Sequence, residues 1–185
     1  MLEELRRTGA LREGHFRLSS GLHSDHYVQC ALLLEHPGRA REVGLALADK
    51  LRVFAPDSVL SPALGGVVIG YVTAAVLAVP FRFCERKEGA MKLRRGFELS
   101  AGERVAVVED VVTTGESARE AGEVAHGAGA RVEAYGAVID RSSGRAGFDR
   151  PFESLVEVKA EAWSPSECAL CASGEPLTAP GSRPS

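Results

Sequence analysis

VAVVEDVVTTGES, residues 105–117, is the stretch on which the fold turns. Four apolar residues run without a polar interruption, which predicts a central parallel strand buried on both faces rather than a half-exposed one. Two acids, Glu109 and Asp110, then close the run, and Thr113-Thr114-Gly115 leads into a helical pattern. In an open α/β sheet, ligands bind beyond the carboxyl ends of the strands, which is where these acids fall. A loop of small hydroxyl residues and a glycine lets backbone N–H groups wrap an anion at the helix N-terminus. The combination suits a sugar phosphate, with acids accepting from ribose hydroxyls and the loop cradling the phosphate. An ordinary strand-to-helix turn would use Asp and Thr only as caps. The paired acids behind four apolar residues favour the ligand site.

Outward from this stretch, RVEAYGAVID (131–140) predicts a further strand and VPFRFC (79–84) an earlier one. Pro37 opens a helix in which Ala40, Val43, Leu47 and Leu51 recur at intervals of three and four, giving one apolar face. A short strand SVLS, a turn PALGG and a second apolar helix over about Val67–Leu77 follow. The first 30 residues read as a short helix and strand-like pieces broken by Gly21. ESLVEVKAEAW (153–163) reads as one more strand, Ser164-Pro165-Ser166-Glu167 as a capping box opening a short helix, and GEPLTAPGSRPS (174–185) as a loosely held tail. The order predicts an α/β fold with a mostly parallel twisted sheet flanked by helices.

The 185 residues fit one domain, and a hydrophobic fraction of 45% with 25% charged residues argues against extensive disorder. A net charge of −3 disfavours a surface that coats nucleic acid or hugs a membrane. No window approaches the roughly 18 apolar residues needed to span a bilayer. The charged start MLEELRRTGALREG lacks the apolar stretch of a signal peptide, so the expected location is cytoplasmic.

The segment 105–117 resembles the phosphoribosyl-diphosphate (PRPP) motif of type I phosphoribosyltransferases. GHFRLSSGLHSDHYVQC (14–30) is similar to the N-terminal hood of the orotate phosphoribosyltransferases, SPALGGV to their pyrophosphate-side loop, CERKEGAMKLRRGF to their mobile flap, and AVIDR to the strand whose final Arg contacts the base. These resemblances run in the family's order over roughly residues 13–141. They imply a single phosphoribosyltransferase domain over 1–185, with a hood of about 1–36 plus the C-terminal segment, a core of about 37–160 and a flap of about 85–103. The implied reaction is orotate plus PRPP giving orotidine 5′-phosphate and pyrophosphate, a step of pyrimidine synthesis. It would pass through an oxocarbenium-like ribose with Mg²⁺ carried mainly on PRPP, in a homodimer with shared active sites and no nucleic-acid or membrane partner. By position, Glu109 and Asp110 would hold the ribose hydroxyls, and the loop from Val111 and Val112 through Thr113, Thr114, Gly115, Glu116 and Ser117 would hold the 5′-phosphate. Thr113 and Arg141 would contact orotate, whose carboxylate an Arg can grip bidentately. A surface ion pair between Arg141 and Asp140 is the equal alternative.

The flap carries five bases, Arg86, Lys87, Lys92, Arg94 and Arg95, against Glu88, a local charge of about +4 in a chain of net −3. Cations set against a departing pyrophosphate are worth more in the transition state than in the ground state, which is the condition for catalysis. Arg86 and Lys87 are accordingly the expected catalytic cations, beside Lys92 as a further PRPP contact. The alternative is a solvated charged hairpin. The chain departs from the family pattern at Leu64 and Gly65, where a Tyr-Lys pair is common, and at Ser19 and Ala90, where Lys is common; Lys92, Arg94 and Arg95 would have to compensate. Those departures leave room for another base as substrate, and a non-catalytic RNA-binding PRPP sensor is the rival from outside the enzymes.

Cys168-Ala-Leu-Cys171 is a single C-x-x-C. A structural zinc wants four ligands, and His15, His23, His26, His36 and His126 show no metal spacing, so inert packing is expected, with zinc a minor alternative and a thioredoxin-like redox role lower still, and no metal ligand is assigned.

Overall fold

The structure, a computed structural model, describes residues 1–180. In chain order the elements are α1 (Leu2–Arg7), β1 (Leu11–Arg17), β2 (His23–Val28), α2 (Ala31–Leu34), α3 (Pro37–Leu51), β3 (Ser58–Pro62), α4 (Gly66–Leu77), β4 (Phe81–Lys87), β5 (Ala90–Leu93), β6 (Arg104–Val112), α5 (Glu116–Gly127), β7 (Arg131–Asp140), β8 (Phe152–Glu157), β9 (Ala162–Trp163) and α6 (Ala169–Ala172). They form two compact units, one continuous over 34–158 and one assembled from 1–33 and 159–185. No helix among the described residues is long and apolar enough to cross a membrane.

The continuous unit is built on a six-stranded sheet in the order β5-β4-β3-β6-β7-β8. All neighbouring pairs are parallel except β4 with β5, which form an antiparallel hairpin at the edge. β6 lies inside the sheet, and Val105 to Val108 are fully buried, as an uninterrupted apolar run requires. Helices cover both faces. Tyr135 of β7 lies under Gly122 of α5, whereas the next residue, Gly136, lies under Leu47 and Leu51 of α3. Successive strand residues point to opposite faces, so α5 and α3 cover opposite sides. The predicted apolar stripe of α3 is the buried one: Ala40, Val43, Leu47 and Leu51.

The second unit carries a three-stranded sheet, β1-β2-β9, antiparallel throughout. Three sequence expectations change here. The predicted single strand ESLVEVKAEAW is two: β8 pairs with β7, and after a break at 158–161 β9 pairs with β2. The capping box does not open a helix at Pro165, because the Ser164 hydroxyl is bonded to the Glu167 carboxylate at 2.6 Å instead of accepting an N–H; α6 starts only after Cys168. The tail is stitched to β1, with Arg17 N–H donating to the Thr178 carbonyl and Thr178 N–H to that of His15. The last part of that predicted loose tail, 181–185, lies outside the described residues.

α3 and α4 cross at Gly44, where an added Cβ would stand 2.9 Å from Val72 Cγ2. Gly44→Ala should therefore lose stability. The better helix propensity contributes at most about 1 kcal/mol, and the overpacked crossing costs about 1–3 kcal/mol. Urea denaturation gives the sign, and a stabilised Gly44→Ala protein would contradict this packing.

Candidate active site

Parallel strands bring their carboxyl ends to one edge of a sheet, and the residues singled out in the sequence gather there. At the end of β6, Glu109 is 8% exposed and its carboxylate lies 3.4 Å from the Asp110 N–H. The turn after β3 closes against these acids. An added Cβ on Gly65 would stand 2.5 Å from Asp110 Oδ1, and one on Gly66 would stand 3.1 Å from Glu109 Oε1. Any side chain at either position would occupy the acids' own space, so PALGG ends in two glycines for a packing reason. Leu64, beside them, is 84% exposed.

Burial raises the pKa of both carboxyls, and for Glu109 the neighbouring charge of Asp110 raises it further. Two adjacent carboxylates in a low dielectric cannot both ionise cheaply. The pair therefore holds a proton well above the ordinary carboxylate range and releases it when positive charge approaches.

The loop after β6 opens into a small pocket lined by Glu109 and residues 111–118. This run holds Val111 to Ser117, the residues expected to bind phosphate. Gly115 is the N-cap of α5 at φ 74° and has no side chain to cap the helix. Asp110, five residues upstream, is not a helix cap; Thr114 Oγ1 accepts the Glu116 N–H at 3.4 Å, and the remaining first-turn N–H groups are left to an external acceptor. An element missed in the sequence braces the loop: the Arg119 guanidinium donates to the Thr114 carbonyl at 2.8 Å and to the Ala146 carbonyl. Its signal was a basic residue in the first turn of a helix, where the macrodipole disfavours one.

Arg141 follows β7 directly, and its N–H donates to the Val112 carbonyl at 2.8 Å, which sets it beside Thr113. The Asp140 carboxylate accepts the Ser142 N–H at 2.7 Å.

The flap is the β4–β5 hairpin, turning at Glu88-Gly89. Its charge is less concentrated than the base count suggests. Arg86 pairs with Glu120 of α5 through both guanidinium nitrogens, one at 2.9 Å, and also donates to the Gly89 carbonyl. Arg95 is bidentate on Glu85, just outside the counted window, and Arg94 lies 3.6 Å from the same carboxylate. Among the described residues Lys87 and Lys92 have no ion pair, so these two cations are immediately available to an anion. Arg86 reaches one only by releasing Glu120, and such half-exposed pairs are weak. Among the cysteines, burial pushes the Cys84 thiol up to about 12, which leaves it an unreactive core residue.

The sequence-expected inert cysteines are not packed alone. Cys168 and Cys171 lie with His15 and His23, and the four ligand atoms fall within 4.8 Å of one another.

Residues 31–167 match the phosphoribosyl transferase domain family. Over 181 residues the chain is 50% identical to the orotate phosphoribosyltransferase of Thermotoga maritima, covering 98% of this chain and 97% of that one. It is 44% identical over 183 residues to the orotate phosphoribosyltransferase of Caldanaerobacter subterraneus, covering 99% and 96%. The crystal structure of orotate phosphoribosyltransferase from Aeropyrum pernix superposes with a TM-score of 0.71 at 26% identity, over 86% of this chain and 94% of that one.

The buried acid pair has a measurable signature. A carboxyl whose pKa is higher in the folded than in the unfolded chain makes the folded state the better proton binder, so stability falls as pH rises above the ordinary carboxylate range. Glu109→Gln removes that liability. The variant should melt on the order of a few degrees above the parent at pH 8, with the gap closing towards pH 5. A gap independent of pH in thermal melts would show that Glu109 is ionised without penalty.

Proposed function

The chain belongs to the orotate phosphoribosyltransferases of the phosphoribosyl transferase domain family, and we propose that it transfers the 5-phosphoribosyl group from PRPP to orotate with the residues gathered at the carboxyl end of β6. The products are orotidine 5′-phosphate and pyrophosphate. The observation that carries the assignment of residues is the buried Glu109 beside the half-buried Asp110, on the strand whose loop leads into the N-terminus of α5.

In this reading the N–H groups of 113–117 hold the 5′-phosphate, where the helix dipole favours negative charge. Glu109 and Asp110 accept from the ribose hydroxyls. As the bond to pyrophosphate breaks, positive charge grows on the ribose beside the acids. The acids' negative charge opposes that growing positive charge, so they stabilise the transition state more than the ground state. Lys87 and Lys92 meet the leaving pyrophosphate first, and Arg86 joins them by exchanging Glu120 for phosphate oxygen. Arg141 takes the orotate carboxylate beside Thr113. The acid pair is a set of hard oxygen donors, so Glu109 and Asp110 would fit magnesium carried on PRPP. Bound magnesium supplies neutralising charge to the departing pyrophosphate. The same reading makes the protein a cytoplasmic homodimer acting on small molecules, without nucleic-acid or membrane partners.

Base choice is the direct test. Protein, Mg²⁺ and PRPP are mixed with each nucleobase and pyrophosphate release is followed. Orotate should react, with discrimination on the order of 10⁴-fold against uracil, which lacks the carboxylate that Arg141 would grip. Turnover of hypoxanthine or adenine but not of orotate would overturn the reading.

Sharing of the site between subunits has its own test. Arg86→Ala and Asp110→Asn should each be nearly inactive. Refolded together in equal amounts, they should recover about a quarter of wild-type activity, because half the dimers are mixed and each mixed dimer has one intact site. Mixed dimers confirmed by mass but without activity would mean that the flap serves its own subunit.

A further inference from the structure

Four groups from three places in the chain converge inside the unit made of residues 1–33 and 159–185. His15 lies on β1, His23 opens β2, and Cys168 and Cys171 flank and join α6. His15, His23 and Cys168 are buried, and Cys171 stands at the rim. A β-bulge puts His15 there. Between Glu13 and Phe16 the register with β2 slips, two residues on β1, Gly14 and His15, facing one on β2, Asp25. That extra residue resets the alternation of faces, so His15 and Phe16 are buried in succession.

All four ligand atoms lie within 4.8 Å of one another, and four of the six distances between them are close to the edges of a coordination tetrahedron. Zinc bond lengths imply edges of about 3.3 Å between nitrogens and about 3.6 Å from nitrogen to sulfur. His15 Nε2 is 3.0 Å from His23 Nδ1, 3.4 Å from Cys168 Sγ and 3.7 Å from Cys171 Sγ, and Cys171 Sγ is 3.2 Å from His23 Nδ1. The two rings meet edge-on, at 67° between planes, so that nitrogens rather than ring faces converge.

The proton on His15 is fixed by its other side. His15 Nδ1 lies 2.8 Å from the Glu175 carbonyl oxygen, which can only accept, so Nδ1 donates and the neutral ring offers Nε2 as a bare lone pair. A backbone or carboxylate acceptor behind a ligand nitrogen is the usual outer partner of a metal-bound histidine. As hydrogen bonds alone the cluster is poorly matched: one Nε2 lone pair faces a second ring nitrogen and two weakly donating thiols. A single cation satisfies all four groups together.

We propose that His15, His23, Cys168 and Cys171 form a structural zinc site that ties the N-terminal β1–β2 hairpin to the C-terminal segment. Two imidazoles with two thiolates select zinc over the hard cations that prefer oxygen. Zn²⁺ displaces the two thiol protons, and the two thiolates balance its charge. Four protein ligands leave no open position, so the site holds structure and performs no chemistry, and it stands independently of the reaction assigned above.

The test uses the full chain purified under reductant. Multi-element mass spectrometry should find about one zinc per chain, and the Cys168→Ser/Cys171→Ser double variant should hold close to none. Because that variant can also fail by misfolding, the wild-type protein is stripped with chelator and titrated with cobalt chloride. Intense visible d–d bands of a tetrahedral thiolate site should appear, saturate at one equivalent and vanish on adding zinc chloride, and stripped protein should melt lower than zinc-loaded protein. Wild-type protein that neither retains zinc nor develops those bands overturns the proposal. So does a metal-free Cys168–Cys171 disulfide in the reduced preparation, or stoichiometric binding of a different metal in place of zinc.

Discussion

Holding two neighbouring carboxyls, Glu109 buried and Asp110 half-buried, at the end of a central strand is the constraint around which this molecule is arranged. Such a pair costs stability at neutral pH, because burial and mutual repulsion both oppose ionisation. Natural domains have little stability to spare, so a persistent liability of this kind marks a place where function outweighs folding. Glu109 and Asp110 can be tolerated because β6 lies inside the sheet, with β3 and β7 on either side. The rigidity of that frame keeps the acids from swinging out to water.

The surroundings of the pair follow from the same constraint. Gly65 and Gly66 bring bare backbone to the acids where any side chain would collide with them. Beyond the acids the chain turns through Gly115 in a left-handed conformation, so α5 starts with N–H groups beyond Glu116 open to a ligand. Arg119 then fixes the Thr114 carbonyl from behind. Negative and positive ends of the site are thus set a few residues apart on one strand–loop–helix unit, and neither depends on a long side chain finding its rotamer.

What could be read in advance was local in the chain. The strand, the acids, the Thr-Thr-Gly loop and the helix are contiguous, and their apolar pattern alone placed β6 and α5. The apolar stripe of α3 and the extent of α4 were legible for the same reason. The change of sheet between β8 and β9 was not, because ESLVEVKAEAW has a continuous strand-like composition and only the available partners, β7 for one half and β2 for the other, decide where it divides. The flap's positive charge was overstated, since Glu85 and Glu120 lie outside the counted window and reach its arginines through hairpin pairing and through a helix 34 residues on. The histidine–cysteine cluster was invisible for a related reason. Its members are up to 156 residues apart, and the one that completes the geometry is aimed by a bulge that no spacing rule reveals.

The discontinuous unit also bears on how the chain is made. β1 and β2 leave the ribosome early, but the third strand of their sheet, β9, is synthesised about 135 residues later, after the whole of the continuous unit. Residues 34–158 can close their own sheet as they emerge, since every strand in it finds a partner within that span. The N-terminal hairpin has no such option, and a two-stranded ribbon is marginal by itself. It must wait, exposed, through most of translation, which makes completion of this small sheet the last act of folding and its open β2 edge the point at which a nascent chain is most open to wrong pairing.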